Sequence, residues 1–115
     1  MSNYKLVLMA KSSSPRRPTL AIDFDGVIRH ADGSIIEGCK EALPRLKFRY
    51  KLVLYTCRHA DFYIPWLNEH GLLWYFDEFF GAGAGGSKPR ADVYLDDKGL
   101  RFLTWDQALL DLYAA

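Results

Sequence analysis

Apolar residues gather in short runs along this 115-residue chain, and three of the runs stop at a carboxylate or a threonine. Thr19-Leu20-Ala21-Ile22 leads into Asp23, Lys51-Leu52-Val53-Leu54-Tyr55 into Thr56, and Ala91-Asp92-Val93-Tyr94-Leu95 into Asp96-Asp97. Short, mostly continuous apolar runs suit strands buried in a parallel sheet. Between them the spacing becomes helical. Glu37 to Phe48 puts Ala42, Leu43 and Leu46 on one face, and Pro44 inside it predicts a kink or a late start. Ala60 to His70 predicts a second helix through Phe62, Ile64, Trp66 and Leu67, with Gly71 as its C-terminal stop. Phe76 to Phe80 reads as a third strand, Leu100 to Leu103 as a fifth, and Trp105 to Tyr113 as a closing helix. Val27 to Ile36 holds two short stretches around Asp32-Gly33, a dipeptide that favours a type I′ turn, so a β-hairpin flap is expected there.

Strands alternating with helices predict an α/β fold: a three-layer α/β/α, Rossmann-like parallel sheet of about five strands, covered on both faces. In such sheets the ligand lies beyond the carboxyl ends of the strands. The stretch Gly81-Ala82-Gly83-Ala84-Gly85-Gly86 precedes a Lys-Pro rather than opening a long helix, and reads as a mobile loop rather than a dinucleotide site.

Composition narrows the function. Half the residues are hydrophobic, enough for one packed core. Fifteen basic residues against 14 acidic ones exclude a strongly basic nucleic-acid binder. The balance is uneven along the chain. Residues 1–18 hold Lys5, Lys11, Arg16 and Arg17 and no acid, and read as a flexible basic N-terminal segment. Residues 19–115 hold 11 basic and 14 acidic residues and read as the catalytic domain. Cys39 and Cys57 have neither disulfide-framework nor zinc spacing, so two free thiols in a reducing cytoplasm are expected. No run approaches the roughly 20 apolar residues of a membrane span, so no membrane partner is expected.

The predicted strand ends bring Asp23, Asp25, Thr56, Asp96 and Asp97 to one crevice, with Lys88 just upstream of the fourth strand. Four carboxylates so close together need a counter-charge. Clustered oxygen ligands suit Mg²⁺, which accepts one or two carboxylates plus substrate phosphate oxygens. Phosphoryl transfer needs an in-line nucleophile and neutralisation of the phosphoryl oxygens. Asp23, ionised at neutral pH, fits the nucleophile, and Asp25 fits an acid that protonates the leaving oxygen and then activates water. Thr56 would offer its hydroxyl and neighbouring backbone N–H groups to phosphate, and Lys88 a point charge. Arg58 and His59, and likewise Arg29 and His30, read first as solvated positions and only second as substrate contacts.

Asp23-Phe24-Asp25-Gly26-Val27, Thr56, Lys88-Pro89 and Leu95-Asp96-Asp97 resemble, in order, motifs one to four of the haloacid dehalogenase (HAD) superfamily. The resemblance covers residues 19 to about 105. It implies Asp23 as nucleophile, Asp25 as general acid/base, and Thr56 and Lys88 as phosphate binders helped by Cys57 and Gly26. It also implies Mg²⁺ on Asp23, Asp25 (through its backbone carbonyl) and Asp96, with Asp97 in a water-mediated or supporting place. The second aspartate points to the phosphatases within the family. The family usually inserts a cap domain, but the intervals from Asp25 to Thr56 and from Thr56 to Lys88 leave no room for one. An open site is therefore expected, serving a phosphorylated small molecule or a nucleic-acid phosphate end, or covered by a homo-oligomer. Two other classes stand beside this reading: a catalytically idle binding module, and a receiver-like phospho-acceptor domain. In a receiver the acidic pair follows the first strand and the phosphorylated aspartate a later one, which is not the order here.

Overall fold

The computed structural model describes residues 17–82, 89–96 and 100–114. Lys88, Asp97, most of the glycine-rich stretch and the N-terminal segment before Arg17 lie outside the described residues. In chain order the elements are β1 (Thr19–Asp23), α1 (Cys39–Lys47), β2 (Lys51–His59), α2 (Ala60–Glu69), a 3₁₀ turn (Leu73–Tyr75), β3 (Glu78–Ala82), β4 (Val93–Asp96), β5 (Leu100–Arg101) and α3 (Trp105–Ala114). The five strands form one sheet in the order β3-β2-β1-β4-β5, with every neighbouring pair parallel. Among the described residues no helix is long and apolar enough to cross a membrane.

The order locates the ligand crevice. From β1 the chain proceeds outward through β2 and β3, then returns to the other side of β1 for β4 and β5. The direction of winding therefore reverses between β1 and β4, and the crevice of such a sheet opens at the carboxyl ends of those two strands. Asp23 ends β1 and Asp96 ends β4. Backbone geometry alone brings the two carboxylates to the same edge.

Strand side chains alternate between faces, and here the two faces differ. Leu20 and Ile22 of β1, Leu52 and Leu54 of β2 and Leu95 of β4 share one core cluster with Leu43 and Leu46 of α1, Tyr63 and Leu67 of α2, and Trp105 and Leu112 of α3. All three helices thus pack on one face. Ala21 and Val53, on the other face, are buried yet stand outside that cluster. There the rings of Tyr55 and Tyr94 meet edge to face, 6.2 Å apart, reaching across β1 where Ala21 is small. The described residues thus build two layers, sheet and helices. The expected second helical layer is not among them, because no helix forms between the end of β3 and the start of β4 within the described residues.

Several local expectations change. α1 starts at Cys39, two residues later than the spacing suggests, because Gly38 adopts a left-handed conformation (φ +88°) as its N-cap. Gly71 (φ +72°) ends α2 as expected. β2 does not stop at Thr56 but runs on to His59, with a shift in its pairing to β3 between Tyr55 and His59. The Asp32-Gly33 turn is not type I′, which needs positive φ at both central residues. Gly33 has φ +96°, whereas no residue other than glycine has positive φ among the described residues. Instead Asp32 Oδ1 accepts hydrogen bonds from the backbone N–H and the hydroxyl of Ser34, a local turn closed by the Asp side chain. The flap is correspondingly slight: its antiparallel pairing is a single bridge between Arg29 and Ile35.

Candidate active site

A cleft of about 310 Å³ opens at the switch point, lined by Asp23, Asp25, Gly26, Asp96, Arg101 and Phe102 among others. Three of the four predicted carboxylates therefore face one space. Asp97 lies outside the described residues, as does Lys88.

The three carboxylates differ in setting. Asp23 is half-buried at the last position of β1, and its Oδ1 accepts from the Phe24 backbone N–H at 2.8 Å, which orients the carboxyl. Asp96 is 5% exposed and accepts a hydrogen bond from the Tyr55 hydroxyl, delivered across β1 from β2. A buried carboxylate needs such a donor to offset lost hydration. Asp25 lies beyond the end of β1 in the loop, and its carboxylate sits between two guanidinium groups. Arg58 Nε donates to Oδ2 at 2.7 Å, and Arg29 approaches Oδ1 at 3.4 Å. Arg101 from β5 contributes a guanidinium side chain to the lining of the cleft itself. Three carboxylates and the Arg101 guanidinium thus share the lining, with Arg29 and Arg58 reaching the cleft only through their contacts to Asp25.

Thr56 and its neighbours stand apart from this group. The Thr56 hydroxyl accepts from the Arg58 backbone N–H at 3.1 Å, and Thr56 is not in the lining of the cleft among the described residues. Cys57 is exposed. Gly26 lines the cleft, but its backbone N–H donates to the Arg29 carbonyl at 2.9 Å and so closes the loop rather than pointing into the space. The phosphate-binding set predicted from the sequence is thus brought together only in part.

The chain shows why β2 overruns Thr56. A Cβ built on Gly81 would stand 2.8 Å from the Arg58 carbonyl oxygen, 2.9 Å from the Tyr63 ring and 3.1 Å from the Thr56 methyl. Only glycine lets β3 approach this segment so closely, and that approach holds residues 56–59 extended beside Ala82. Two buried polar atoms in the neighbourhood, Tyr63 Oη and Arg29 Nε, have no hydrogen-bond partner, and burial raises the Tyr63 phenol pKa.

Arg58 and Arg29, read from the sequence as solvated positions first and substrate contacts second, hold Asp25 here, and Tyr55, which the sequence did not single out, holds Asp96. The Thr56-Cys57-Arg58 spacing was the available signal for Arg58, since a strand continuing past Thr56 returns the next-but-one side chain to the same side. Nothing local marks Tyr55 as the donor to a carboxylate 41 residues away.

Among the described residues no three His, Cys, Asp or Glu side chains form a ready metal cage. The donors at the crevice are two carboxylates from adjacent strand ends with a third beside them. That set suits a hard cation which takes one or two carboxylates and completes its shell with water and ligand oxygens.

Fold and cleft together define an α/β protein with a Rossmann-like parallel sheet and an acidic crevice at its switch point. No protein-family model matches the chain, and no curated protein matches it either.

Proposed function

We propose that the protein is an uncapped, HAD-like, Mg²⁺-dependent phosphomonoester hydrolase working through an aspartyl-phosphate on Asp23. The observation that carries this reading is the meeting of Asp23, Asp25 and Asp96 in one cleft at the point where the sheet reverses its winding. Asp23 and Asp96, with the Asp25 backbone carbonyl and help from Asp97, would hold Mg²⁺. When bound, the ion supplies charge neutralisation at the phosphoryl oxygens.

In the first step an Asp23 carboxylate oxygen bonds to phosphorus while the ester P–O bond breaks, and a proton on Asp25 passes to the leaving oxygen. In the second step Asp25 takes a proton from water. The water oxygen bonds to phosphorus, the aspartyl P–O bond breaks, and inorganic phosphate leaves with Asp23 restored. Thr56, Cys57 and Lys88 belong to the same reading as phosphate contacts in the ligand-bound state. A second cavity of about 460 Å³ lies beside the cleft, between the hairpin loop and the start of α3. The two cavities share Gly26 and Phe102.

Steady-state hydrolysis of p-nitrophenyl phosphate in millimolar Mg²⁺ tests the assignment. Wild-type protein turns over and Asp23→Asn loses at least about 10³-fold, in line with loss of a nucleophile. Turnover that survives Asp23→Asn would refute the mechanism.

A further inference from the structure

Asp25 is gripped by two arginines that arrive from different parts of the fold. We propose that Arg58, backed by Arg29, is a positioning residue that aims the Asp25 carboxyl at the leaving oxygen; this rests on the phosphatase reading above. Each oxygen of Asp25 has its own cation: Arg58 Nε lies 2.7 Å from Oδ2, and an Arg29 terminal nitrogen 3.4 Å from Oδ1. The same ring steadies both cations, with the guanidinium carbons of Arg58 and Arg29 at 4.3 Å and 5.1 Å from the centre of Phe62. Phe62 in turn meets Phe24, the residue between the two aspartates, edge to face at 6.4 Å. The result is a small assembly of Asp25, two guanidinium groups and one ring, built against the loop that carries the acid.

An exposed ion pair by itself is weak evidence, since such pairs contribute about 0–1 kcal/mol and move freely. Two features separate this one. First, the Arg29 side chain is only 13% exposed and its buried Nε has no partner, so Asp25 is the carboxylate that compensates a largely buried cation. Second, Asp25 sits beyond the end of β1, where a lone bridge to Arg29 replaces a strand ladder. Its carboxyl direction therefore depends on side-chain partners. An acid must lie within hydrogen-bond reach of the atom it protonates, and a misplacement of about 1 Å costs on the order of 10²-fold. β2 supplies the remedy by continuing past Thr56, which delivers Arg58 to a carboxylate 33 residues earlier.

The test uses two esters. p-Nitrophenol departs without needing a proton, whereas the alkoxide of glycerol 2-phosphate does need one. Arg58→Ala lowers kcat on glycerol 2-phosphate by about 10- to 100-fold, a part of the roughly 10²–10⁴ that acid–base catalysis contributes. On p-nitrophenyl phosphate kcat falls far less, and KM for both esters stays near the wild-type value. Arg58→Lys recovers part of the loss. Adding Arg58→Ala to Asp25→Ala costs nothing more on glycerol 2-phosphate, because the aimed group is already gone. Thermal melts check folding, and Arg58→Gln replaces the alanine variant if that one does not fold. Equal losses on both esters, a rise in KM alone, or additive losses in the double variant would overturn the positioning role while leaving the phosphatase reading intact. A wild-type protein that hydrolyses neither ester overturns both.

Discussion

Replacing Gly38 by alanine is expected to damage the fold more than a single-methyl insertion at any other left-handed glycine among the described residues. Gly38 caps α1 with φ +88°, and a Cβ there would stand 2.9 Å from Trp105 Cβ and 3.7 Å from its Cγ. Two costs add. The left-handed backbone costs an L-residue about 1–2 kcal/mol, and forcing a methyl group into a filled site costs about 1–3 kcal/mol. Trp105 has little room to yield. It is 1% exposed, and its indole N–H donates to the Val27 carbonyl at 3.0 Å. The sum of about 2–5 kcal/mol is a large share of the roughly 5–15 kcal/mol that holds a domain together, and lowers Tm by at least about 8 °C. Gly71→Ala is the matched control: φ is +72° but nothing lies within 4 Å of the added methyl, so only the backbone cost of about 1–2 kcal/mol applies. Urea and thermal unfolding of both variants, followed by circular dichroism, make the comparison. Equal destabilisation of the two would refute the packing of α1 against Trp105. The consequence reaches the site, because the Trp105 indole anchors Val27, two residues beyond Asp25, and a displaced indole loosens the loop that carries the acid.

Three further outcomes follow from charge and burial. Cys57 is exposed and Cys39 buried, with the Cys39 thiol pushed up to about 12 by burial and secondarily by Glu41. Iodoacetamide at pH 8 therefore labels Cys57 alone in the folded protein, as peptide mass spectrometry reads, and labelling of Cys39 without unfolding would contradict its burial. A thiol pKa raised on folding also means that the folded state holds its proton more tightly. The Cys39 contribution to stability is thus complete below pH 9 and declines as pH rises from there towards 12. On the proposed Mg²⁺-dependent reading, millimolar Mg²⁺ is expected to raise the Tm of the wild type by binding linkage, and Asp96→Asn, which removes a carboxylate of the cleft, to abolish most of that shift. An unchanged wild-type Tm would count against a metal site on these aspartates.

The positions of Asp23 and Asp96 were legible because each closes an apolar run, and a parallel sheet carries its strand ends to one edge. The reach of β2 was not. Lys51 to Tyr55 reads as a strand on its own, but residues 56–59 stay extended because Gly81 lets β3 pass close beside them and His59 then pairs with Ala82. The Asp32-Gly33 turn misled for a related reason. The dipeptide is compatible with a type I′ turn, yet Ser34 two residues after Asp32 offered its carboxylate two donors and stabilised another geometry.

The chain by itself determined the class of the fold, the number and parallel sense of the strands, and the glycine that ends α2, because period, run length and chain chirality are local properties. It also put acids at the ends of β1 and β4. Tertiary structure alone decided which of those acids is sheltered and which is gripped. The Asp96 carboxylate is buried under a tyrosine from another strand, and Asp25 is held by arginines from its own loop and from the end of β2. Such partners are set by strand order and register, through which residues 33 or 41 positions apart become neighbours, and no local pattern in the sequence encodes that distance.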